Sequence, residues 1–216
     1  MKLTFNGTAA AEGFPAVFCE CEYCRKARKL GGKNIRTRSS CLINREYLVD
    51  FPPDTYMHAL CGSLRLPGIK HIIVTHHHKD HFAPDDLFMS YPPFAYPDEN
   101  SVLNIYGNEK VYEKYKQAGE EEMTDYVRKH LKFNLVRAYE WFTAGEARVF
   151  PLKADHGGPD DNCLIYLINI GEKYLLYGHD SGYFLEETWE ALETLGNLKL
   201  NGVVLDCTHG KNLVLY

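Results

Sequence analysis

The chain has 216 residues, of which 45% are hydrophobic and 25% charged, and its formal net charge is −5. This composition is globular and excludes a disordered or fibrous chain. The acidic balance argues against a nonspecific nucleic-acid binder, which normally carries a basic stripe. A phosphate-bearing substrate stays open, because bound metal ions can supply local positive charge.

The beginning of the chain has one early lysine but no apolar segment of the length that a signal peptide needs, and no run of eighteen apolar residues occurs. We therefore expect a cytoplasmic protein. Because the cytosol keeps thiols reduced, the seven cysteines are poor disulfide candidates, and a tight cluster among them favours a metal site.

Short runs of β-type composition recur along the chain, and several are separated by only a few residues, as in hairpins. The predicted strands are 2–6, 41–44, 47–51, 70–75, 102–106, 133–138, 148–153, 164–170, 173–177 and 202–206. Helices are predicted at 83–89, 109–118, 123–131 and 185–195. This order predicts an α+β fold with two packed sheets covered by helices, rather than a regular βαβ alternation. No repeat or linker divides the sequence, so we predict one domain, residues 1–216.

The stretch THHHKDH stands at the end of the fourth predicted strand. Residues two apart on an extended chain project to one side, so His76 and His78 are predicted to face one point and His77 to face away. Asp80 and His81 follow in a turn, from which they can reach a second point nearby. Imidazole and carboxylate groups suit zinc and similar divalent ions. A polyhistidine surface loop is the alternative, but the apolar strand and the internal carboxylate favour metal binding.

Two further strand ends carry residues of the same chemistry. His156 follows the predicted strand 148–153 and is a candidate third nitrogen ligand for the first metal ion. Asp180 follows 173–177 and precedes a turn, where its carboxylate could bridge two ions. Each residue alone is more often a turn or capping residue, but their joint occurrence after strand ends favours a dinuclear site.

The order of these residues, with the His-x-His-x-Asp-His motif first, then His156 and then Asp180, resembles the metallo-β-lactamase superfamily. That superfamily has an αββα sandwich of two packed sheets with helices outside. The Gly-Thr opening of 7–15 and the Cys-x-Cys-x2-Cys of 19–24 are similar to its PhnP-like phosphodiesterase branch, as is the Asp-Cys-Thr-His of 206–209.

The resemblance implies two divalent metal ions, with zinc as the leading expectation and manganese or iron as alternatives. Their ligands would be His76, His78 and His156 for the first ion, Asp80 and His81 for the second, and Asp180 as the bridge. Such a pair of ions can present a shared hydroxide to the substrate. Asp80 is therefore also counted as catalytic, and so is His209, which would orient a phosphate oxygen or protonate the leaving group. A simple loop histidine is the alternative for His209. The superfamily adds a later histidine that this sequence does not contain, so we expect the chain to lack its C-terminal portion.

Three further candidate ligands, Cys19, Cys21 and Cys24, place three thiols within six residues, one short of a closed tetrahedral zinc site. In the branch that the chain resembles, they hold a structural zinc with a C-terminal histidine that this sequence does not contain. Reduced free thiols on a loop are the alternative. Cys163 and Cys207 lie in apolar contexts and are expected to be buried and inert.

The function predicted from these residues is that of a metal-dependent hydrolase, in the first place a phosphodiesterase for a small or cyclic phosphodiester. A lactonase or thioesterase of the same fold, an RNA-processing nuclease and a noncatalytic metal-binding protein are the alternatives. We expect a small-molecule substrate as the partner, without nucleic acid or membrane. The aromatic segment 91–97 could wall a substrate pocket or form a homodimer contact.

Several other polar residues receive structural expectations. Asp50 is expected to support a ligand or a turn rather than to bind metal. Arg38, with its neighbour Arg36, could receive a phosphate, although a solvated basic loop is the preferred interpretation. The remaining histidines are expected to be structural or exposed; they include His58, His71 and His130.

Overall fold

The computed structural model describes residues 1–61, 64–158 and 160–208. They fall into two compact units, Met1–Val136 and Arg137–Tyr216, each built around one β-sheet. No helix in the described part of the chain is long and apolar enough to cross a membrane.

The first unit contains a six-stranded sheet whose strands lie side by side in chain order. They are β1 (Leu3–Gly7), β2 (Ser40–Ile43), β3 (Tyr47–Val49), β4 (His71–Ile73), β5 (Leu103–Gly107) and β6 (Leu131–Leu135). β2 runs antiparallel to both of its neighbours, β1 and β3, whereas β3 to β6 are parallel. Parallel strands end at the same edge of a sheet, so the loops that follow β3, β4 and β5 leave the sheet on one side.

Helices connect these strands. The α-helices of the first unit are α1 (Glu22–Leu30), α2 (Thr55–Leu60), α3 (Glu109–Ala118) and α4 (Asp125–His130). Short 3-10 helices span Gly32–Asn34, Leu66–Gly68 and Pro84–Met89.

The described residues of the second unit, 137–158 and 160–208, contain a five-stranded sheet in the order β11-β10-β9-β8-β7 and one helix, α5 (Glu186–Thr194). Its strands are β7 (Phe142–Ala144), β8 (Ala147–Lys153), β9 (Leu164–Ile170), β10 (Lys173–Gly178) and β11 (Leu200–Leu205). Only β10 and β11 pair in parallel; the other neighbours are antiparallel.

Each unit has its own hydrophobic core. In the first, Leu48, Ile72 and Ile105 come from three neighbouring strands and pack with Phe82 and Phe88. In the second, the central strand β9 is almost entirely buried, and its side chains pack with those of β8, β10 and α5. Burial of long apolar side chains on both faces explains why β9 reads as a continuous hydrophobic run.

The sequence predicted ten of these strands and missed β7, which has three residues. The helices predicted at 83–89, 109–118, 123–131 and 185–195 are present, the first as a 3-10 helix. The α1 and α2 helices were missed. In α1 only Cys24 and Ala27 are buried, so the sequence shows no apolar periodicity there. Its signals are instead an acidic first turn and a basic last turn.

The contact between β5 and α3 depends on a glycine. A Cβ atom at Gly107 would lie 2.6 Å from Cγ1 of Val111, a fully buried residue of α3. We expect Gly107→Ala to lower the free energy of unfolding by about 1–3 kcal/mol, because strand and helix must separate to accommodate the methyl group.

Urea denaturation measures this loss. Gly68→Ala is the matched control, since a Cβ there would meet its nearest atoms at 3.8 Å, and the expected change is within about 0.5 kcal/mol. Equal losses in the two variants would contradict the packing argument.

Candidate metal centre

The histidine-rich stretch lies in the loop that follows β4. The strand ends at Ile73, two residues earlier than predicted, so residues 74–81 belong to neither a strand nor a helix. The backbone N–H groups of His81 and Phe82 both donate to the carbonyl of His78, at 3.0 and 2.8 Å. This turn reverses the chain directly after His78.

The turn brings the four predicted ligands of the motif together. A ligand nitrogen of His76 lies within 4.8 Å of one on His78 and of one on His81. The ring centroids of His76 and His78 are 4.6 Å apart, and those of His76 and His81 are 4.2 Å apart. Oδ2 of Asp80 lies 3.4 Å from Nε2 of His81. Three imidazoles and one carboxylate therefore converge within a single loop.

His77 was predicted to be a spacer because residues two apart on an extended chain project to one side, and it lies four residues beyond the end of β4. Its ring centroid lies 4.9 Å from that of His78, and the two rings offer nitrogens within 4.8 Å of each other. The backbone carbonyl of His77 accepts a hydrogen bond from Nζ of Lys114 at 2.7 Å.

A buried carboxylate supports this loop from the neighbouring strand. Asp50, directly after β3, is 0% exposed. Its Oδ1 accepts from the N–H and the hydroxyl of Thr75 at 2.8 and 2.9 Å, and its Oδ2 is 2.7 Å from Nδ1 of His81. The Thr75 hydroxyl also lies 3.0 Å from Nδ1 of His76. Asp50 thus supports the loop, in agreement with the sequence-based expectation.

The Asp50 contact decides the tautomer of His81. A carboxylate beside Nδ1 accepts the proton on that nitrogen and leaves the lone pair on Nε2, which is the form of histidine that binds a metal. His81 and Asp50 have side chains only 1% and 0% exposed, so water does not compete for this hydrogen bond. The donor set of the loop therefore suits a divalent ion.

Backbone hydrogen bonds fix Asp50 relative to the loop. Its N–H donates to the carbonyl of Ile73 at 3.0 Å, and the N–H of Phe51 donates to the carbonyl of His81 at 2.8 Å. The N–H of Ala83 donates to the carbonyl of Phe51 at 2.8 Å. Asp50 itself has φ of 63°, a left-handed conformation that aspartate adopts more readily than most residues.

The other predicted ligands lie together in the second unit. His156 follows β8 and Asp180 follows β10, and Nε2 of His156 is 3.7 Å from Oδ2 of Asp180. Both side chains are half-buried. The structure therefore places this imidazole and this carboxylate side by side at the ends of their strands.

The two loops that carry this pair are tied to each other. The N–H of Asp155 donates to Oγ of Ser181 at 3.1 Å, and the N–H of Gly182 donates to the carbonyl of Asp155 at 2.9 Å. A Cβ atom at Gly182 would lie 2.6 Å from Oδ2 of Asp155. Asp180 has φ of 55°, so its carboxylate projects from a tight turn.

The cysteine cluster lies at the amino end of α1. Cys21 is the N-cap residue, and its Sγ accepts from the N–H of Cys24 at 3.4 Å. The sulfurs of Cys19, Cys21 and Cys24 all lie within 4.8 Å of one another. Hydrogen bonds from the Cys24 N–H and from Cys19 lower the pKa of the Cys21 thiol to about 7, whereas burial raises the pKa of Cys24. The thiolate is the form that binds metal.

Arg28 holds this loop on the helix. Its guanidinium donates to the carbonyls of Cys19 and Ala16 at 2.7 and 2.8 Å. Two peptide groups on either side of Phe18 are therefore anchored to α1, which keeps the first cysteine close to the other two.

Two other expectations about site residues have different outcomes. Cys163 is buried, and burial raises its pKa to about 12, as an inert thiol requires. The expectation for Cys207 is wrong: this residue is exposed, because β11 already ends at Leu205 and is an edge strand. His209 lies outside the described residues.

The arginines have different environments. Arg38 is paired rather than lying in a solvated basic loop, because its Nε and Nη2 each lie 2.8 Å from an oxygen of Asp54. The hydrogen bonds that the Arg38 guanidinium donates to Asp54 raise the pKa of Arg38. Arg36 is exposed, and Cζ of its guanidinium lies 6.0 Å from the ring centroid of Phe14.

The three histidines predicted to be structural or exposed are all buried in the first unit. Each is hydrogen-bonded: His58 to the Thr37 hydroxyl at 2.7 Å, His71 to the Tyr106 hydroxyl at 3.2 Å, and His130 to the Ser101 carbonyl at 2.8 Å. Burial lowers the pKa of His58 and of His71, which favours the neutral imidazole. The expectation of structural roles agrees with these contacts.

Comparison with solved structures places this architecture among known folds. The chain is 23% identical to a new diphosphatase from the PhnP family, with a TM-score of 0.67 over 91% of this chain and 70% of that one. It is 15% identical to Zn(2+)-bound PqqB from Methylobacterium extorquens, with a TM-score of 0.72 over 95% and 72%. Human tRNase Z, short form, is 17% identical, with a TM-score of 0.61 over 89% and 74%.

Comparison of sequences identifies the family. No curated protein matches the chain. A family model described as a beta-lactamase superfamily domain matches residues 45–209, which is most of the chain. The predicted α+β fold of the metallo-β-lactamase type and the resemblance to the superfamily with PhnP-like relatives are thereby confirmed. Membership of this family supports the prediction of a metal-dependent hydrolase, because the family's fold implies divalent metal ions. The chain belongs to the β-lactamase superfamily domain family.

Proposed function

We propose that the chain is a dinuclear metal-dependent phosphodiesterase for a small or cyclic phosphodiester. The observation that carries the metal part is the buried Asp50–His81 hydrogen bond of 2.7 Å. It prepares Nε2 of His81 for a metal ion, inside a loop that brings further imidazoles and a carboxylate together.

The ligand assignment rests on the family and on the donor geometry inside each unit. His76, His78 and His156 would hold the first ion, Asp80 and His81 the second, and Asp180 would bridge them. Neutral imidazoles with carboxylates suit zinc, and manganese or iron remain alternatives.

Two divalent ions, when bound, activate water and polarise a phosphoryl oxygen. The residues of the chain supply the geometry for this chemistry. Asp50 holds the proton on Nδ1 of His81, and its hydrogen bonds to Thr75 fix the start of the loop. Asp80 has a side chain that is 16% exposed, beside His81 at 1%, so solvent reaches its carboxylate; we therefore assign Asp80 to catalysis as well. His209 stays a proposed donor to the leaving group.

A phosphodiester is preferred over a lactone or thioester for two reasons. The Cys-x-Cys-x2-Cys cluster belongs to the phosphodiesterase branch that the sequence resembles. Among the solved structures of similar fold, one is a diphosphatase and another is a tRNase. The binding partner would accordingly be a small phosphorylated molecule. The aromatic segment 91–97 is proposed as the contact of a homodimer.

The substrate class is tested by a panel of hydrolysis assays. Bis-p-nitrophenyl phosphate and a cyclic phosphodiester are offered beside a lactone and a thioester, to protein loaded with zinc or manganese and to chelator-treated protein. We expect turnover of the phosphodiesters by the loaded protein alone. Turnover only of the lactone or thioester would overturn the substrate class, and no metal-dependent turnover at all would overturn the enzyme.

The cysteine cluster gives an independent prediction, that of a structural zinc held by Cys19, Cys21 and Cys24. Cys21→Ser removes a thiolate and should lower the content of tightly held zinc by one ion per chain. Metal analysis after gel filtration, with titration of free thiols, measures the change. Cys61→Ser, at another exposed cysteine, should leave the zinc content unchanged, and equal zinc in wild type and Cys21→Ser would remove the claim.

A further inference from the structure

One lysine of the first unit reaches from a helix into the histidine-rich loop. Lys114 lies in the middle of α3 and is half-buried, and its Nζ donates to the carbonyl of His77 at 2.7 Å. The neighbouring lysines of α3 have other contacts: Lys110, which is also half-buried, lies 3.4 Å from Glu113, and the exposed Lys116 lies over the ring of Tyr112. Of these three lysines, Lys114 is the one that donates a hydrogen bond to the loop in the described part of the chain.

The position of α3 is fixed by its own packing, so Lys114 projects from a rigid support. The ring of Tyr115 lies 5.5 Å from that of Phe88, in the 3-10 helix that follows the loop. A Cβ atom at Gly119 would lie 2.4 Å from the same Phe88 ring. Close contact at both points leaves little freedom for the helix to shift relative to the loop.

The carbonyl that accepts from Lys114 lies directly before the turn that begins at His78. The carbonyl of His78, the next residue, already accepts from the N–H groups of His81 and Phe82, so the turn begins where the Lys114 contact ends. Fixing the His77 carbonyl fixes the peptide that carries the His78 ring and leads into Asp80.

We propose that Lys114 is a positioning residue of the metal centre, which orients the His77–His78 peptide so that His76 and His78 meet the first ion. The inference rests on the proposed function of the loop as a metal site. It assigns to Lys114 no contact with substrate or with the reacting atoms.

A purely electrostatic role for this ammonium would have the opposite sign. Lys114 interacts with the carboxylates of Asp80 and Asp85, so its positive charge lies near a proposed ligand and repels a divalent cation. Removing the charge alone would therefore strengthen metal binding, whereas removing a positioning contact weakens it.

The experiment is a zinc competition titration of the full chain with a chromophoric chelator, together with the visible absorption of the cobalt form. Lys114→Met keeps the length of the side chain without its donor, and we expect zinc affinity to fall about tenfold or more, as for other residues that orient ligands. The cobalt spectrum should change, because ligand geometry changes. Lys114→Arg retains a charged donor and should restore most of the affinity, and Lys110→Met is the matched control.

Three results would contradict the proposal, and each has a different meaning. Tighter zinc binding by Lys114→Met would assign the residue an electrostatic role and overturn the proposal. Unchanged affinity and an unchanged cobalt spectrum, with a lower melting temperature of the metal-free protein, would make the contact one of fold stability alone. If wild type bound no zinc at the histidines, the proposed function itself would fail, which is a separate result.

Discussion

Asp50→Asn is expected to weaken zinc binding at the histidine loop by about 10–100-fold while leaving the protein folded. The backbone N–H of Thr75 is a fixed donor to Oδ1 at 2.8 Å, so the asparagine must place its oxygen there. Its NH2 group then faces Nδ1 of His81, which becomes an acceptor, and the proton moves to Nε2. That tautomer cannot ligate a metal through Nε2.

Zinc competition and urea denaturation measure the two halves of this prediction. The free energy of unfolding should fall by about 1–2 kcal/mol, since a charged hydrogen bond becomes a neutral one without leaving a donor unsatisfied. Asp98→Asn makes the same chemical change at an exposed turn residue, whose Oδ1 accepts from the N–H of Asn100, and should have neither effect. Full zinc affinity in Asp50→Asn would show that the tautomer of His81 is irrelevant to metal binding.

Asp80→Ala is expected to reduce metal-dependent hydrolysis by at least about 100-fold, because losing a ligand of the second ion removes several kcal/mol of transition-state stabilisation. The metal-free protein should keep its stability within about 0.5 kcal/mol, since the carboxylate is partly solvated. The rate on bis-p-nitrophenyl phosphate and the metal content are the measurements.

Asp86→Ala provides the comparison, at an exposed carboxylate in the first turn of the neighbouring 3-10 helix. It should retain both the rate and the metal content of wild type. An Asp80→Ala variant that hydrolysed the substrate at the wild-type rate would remove Asp80 from the site.

The sequence revealed the parts of the site that are local. The His-x-His-x-Asp-His motif lies within a few residues, and a backbone turn of the same stretch brings its members together. The reasoning about it assumed an extended chain beyond the end of the strand and did not foresee the turn that follows His78. A turn that closes on the His78 carbonyl gives the same convergence by a different route.

The supporting contacts could not be derived in this way, because they join distant parts of the chain. Asp50 and His81 are 31 residues apart, and Lys114 and His77 are 37 residues apart. The position of Asp50 after a predicted strand suggested a supporting role but not its partner. Lys114 has no distinguishing pattern in the sequence, since its neighbours in α3 include two further lysines.

The same limit applies to the secondary structure. Long buried strands such as β9 were predicted with good boundaries, since hydrophobic burial on both faces leaves a strong pattern. The α1 helix buries only Cys24 and Ala27, so most of its residues carry no sign of a core-facing stripe. Its capping and charge pattern was the available signal.

The central claim is that the histidine loop, with His156 and Asp180, binds a pair of divalent ions. Metal analysis of the Cys21→Ser variant after reconstitution with zinc and gel filtration tests it most directly, because the cysteine cluster no longer contributes. We predict two zinc ions per chain in this variant, and fewer when His76→Ala is added. Absence of bound zinc in the Cys21→Ser variant, with the fold intact, would contradict the account.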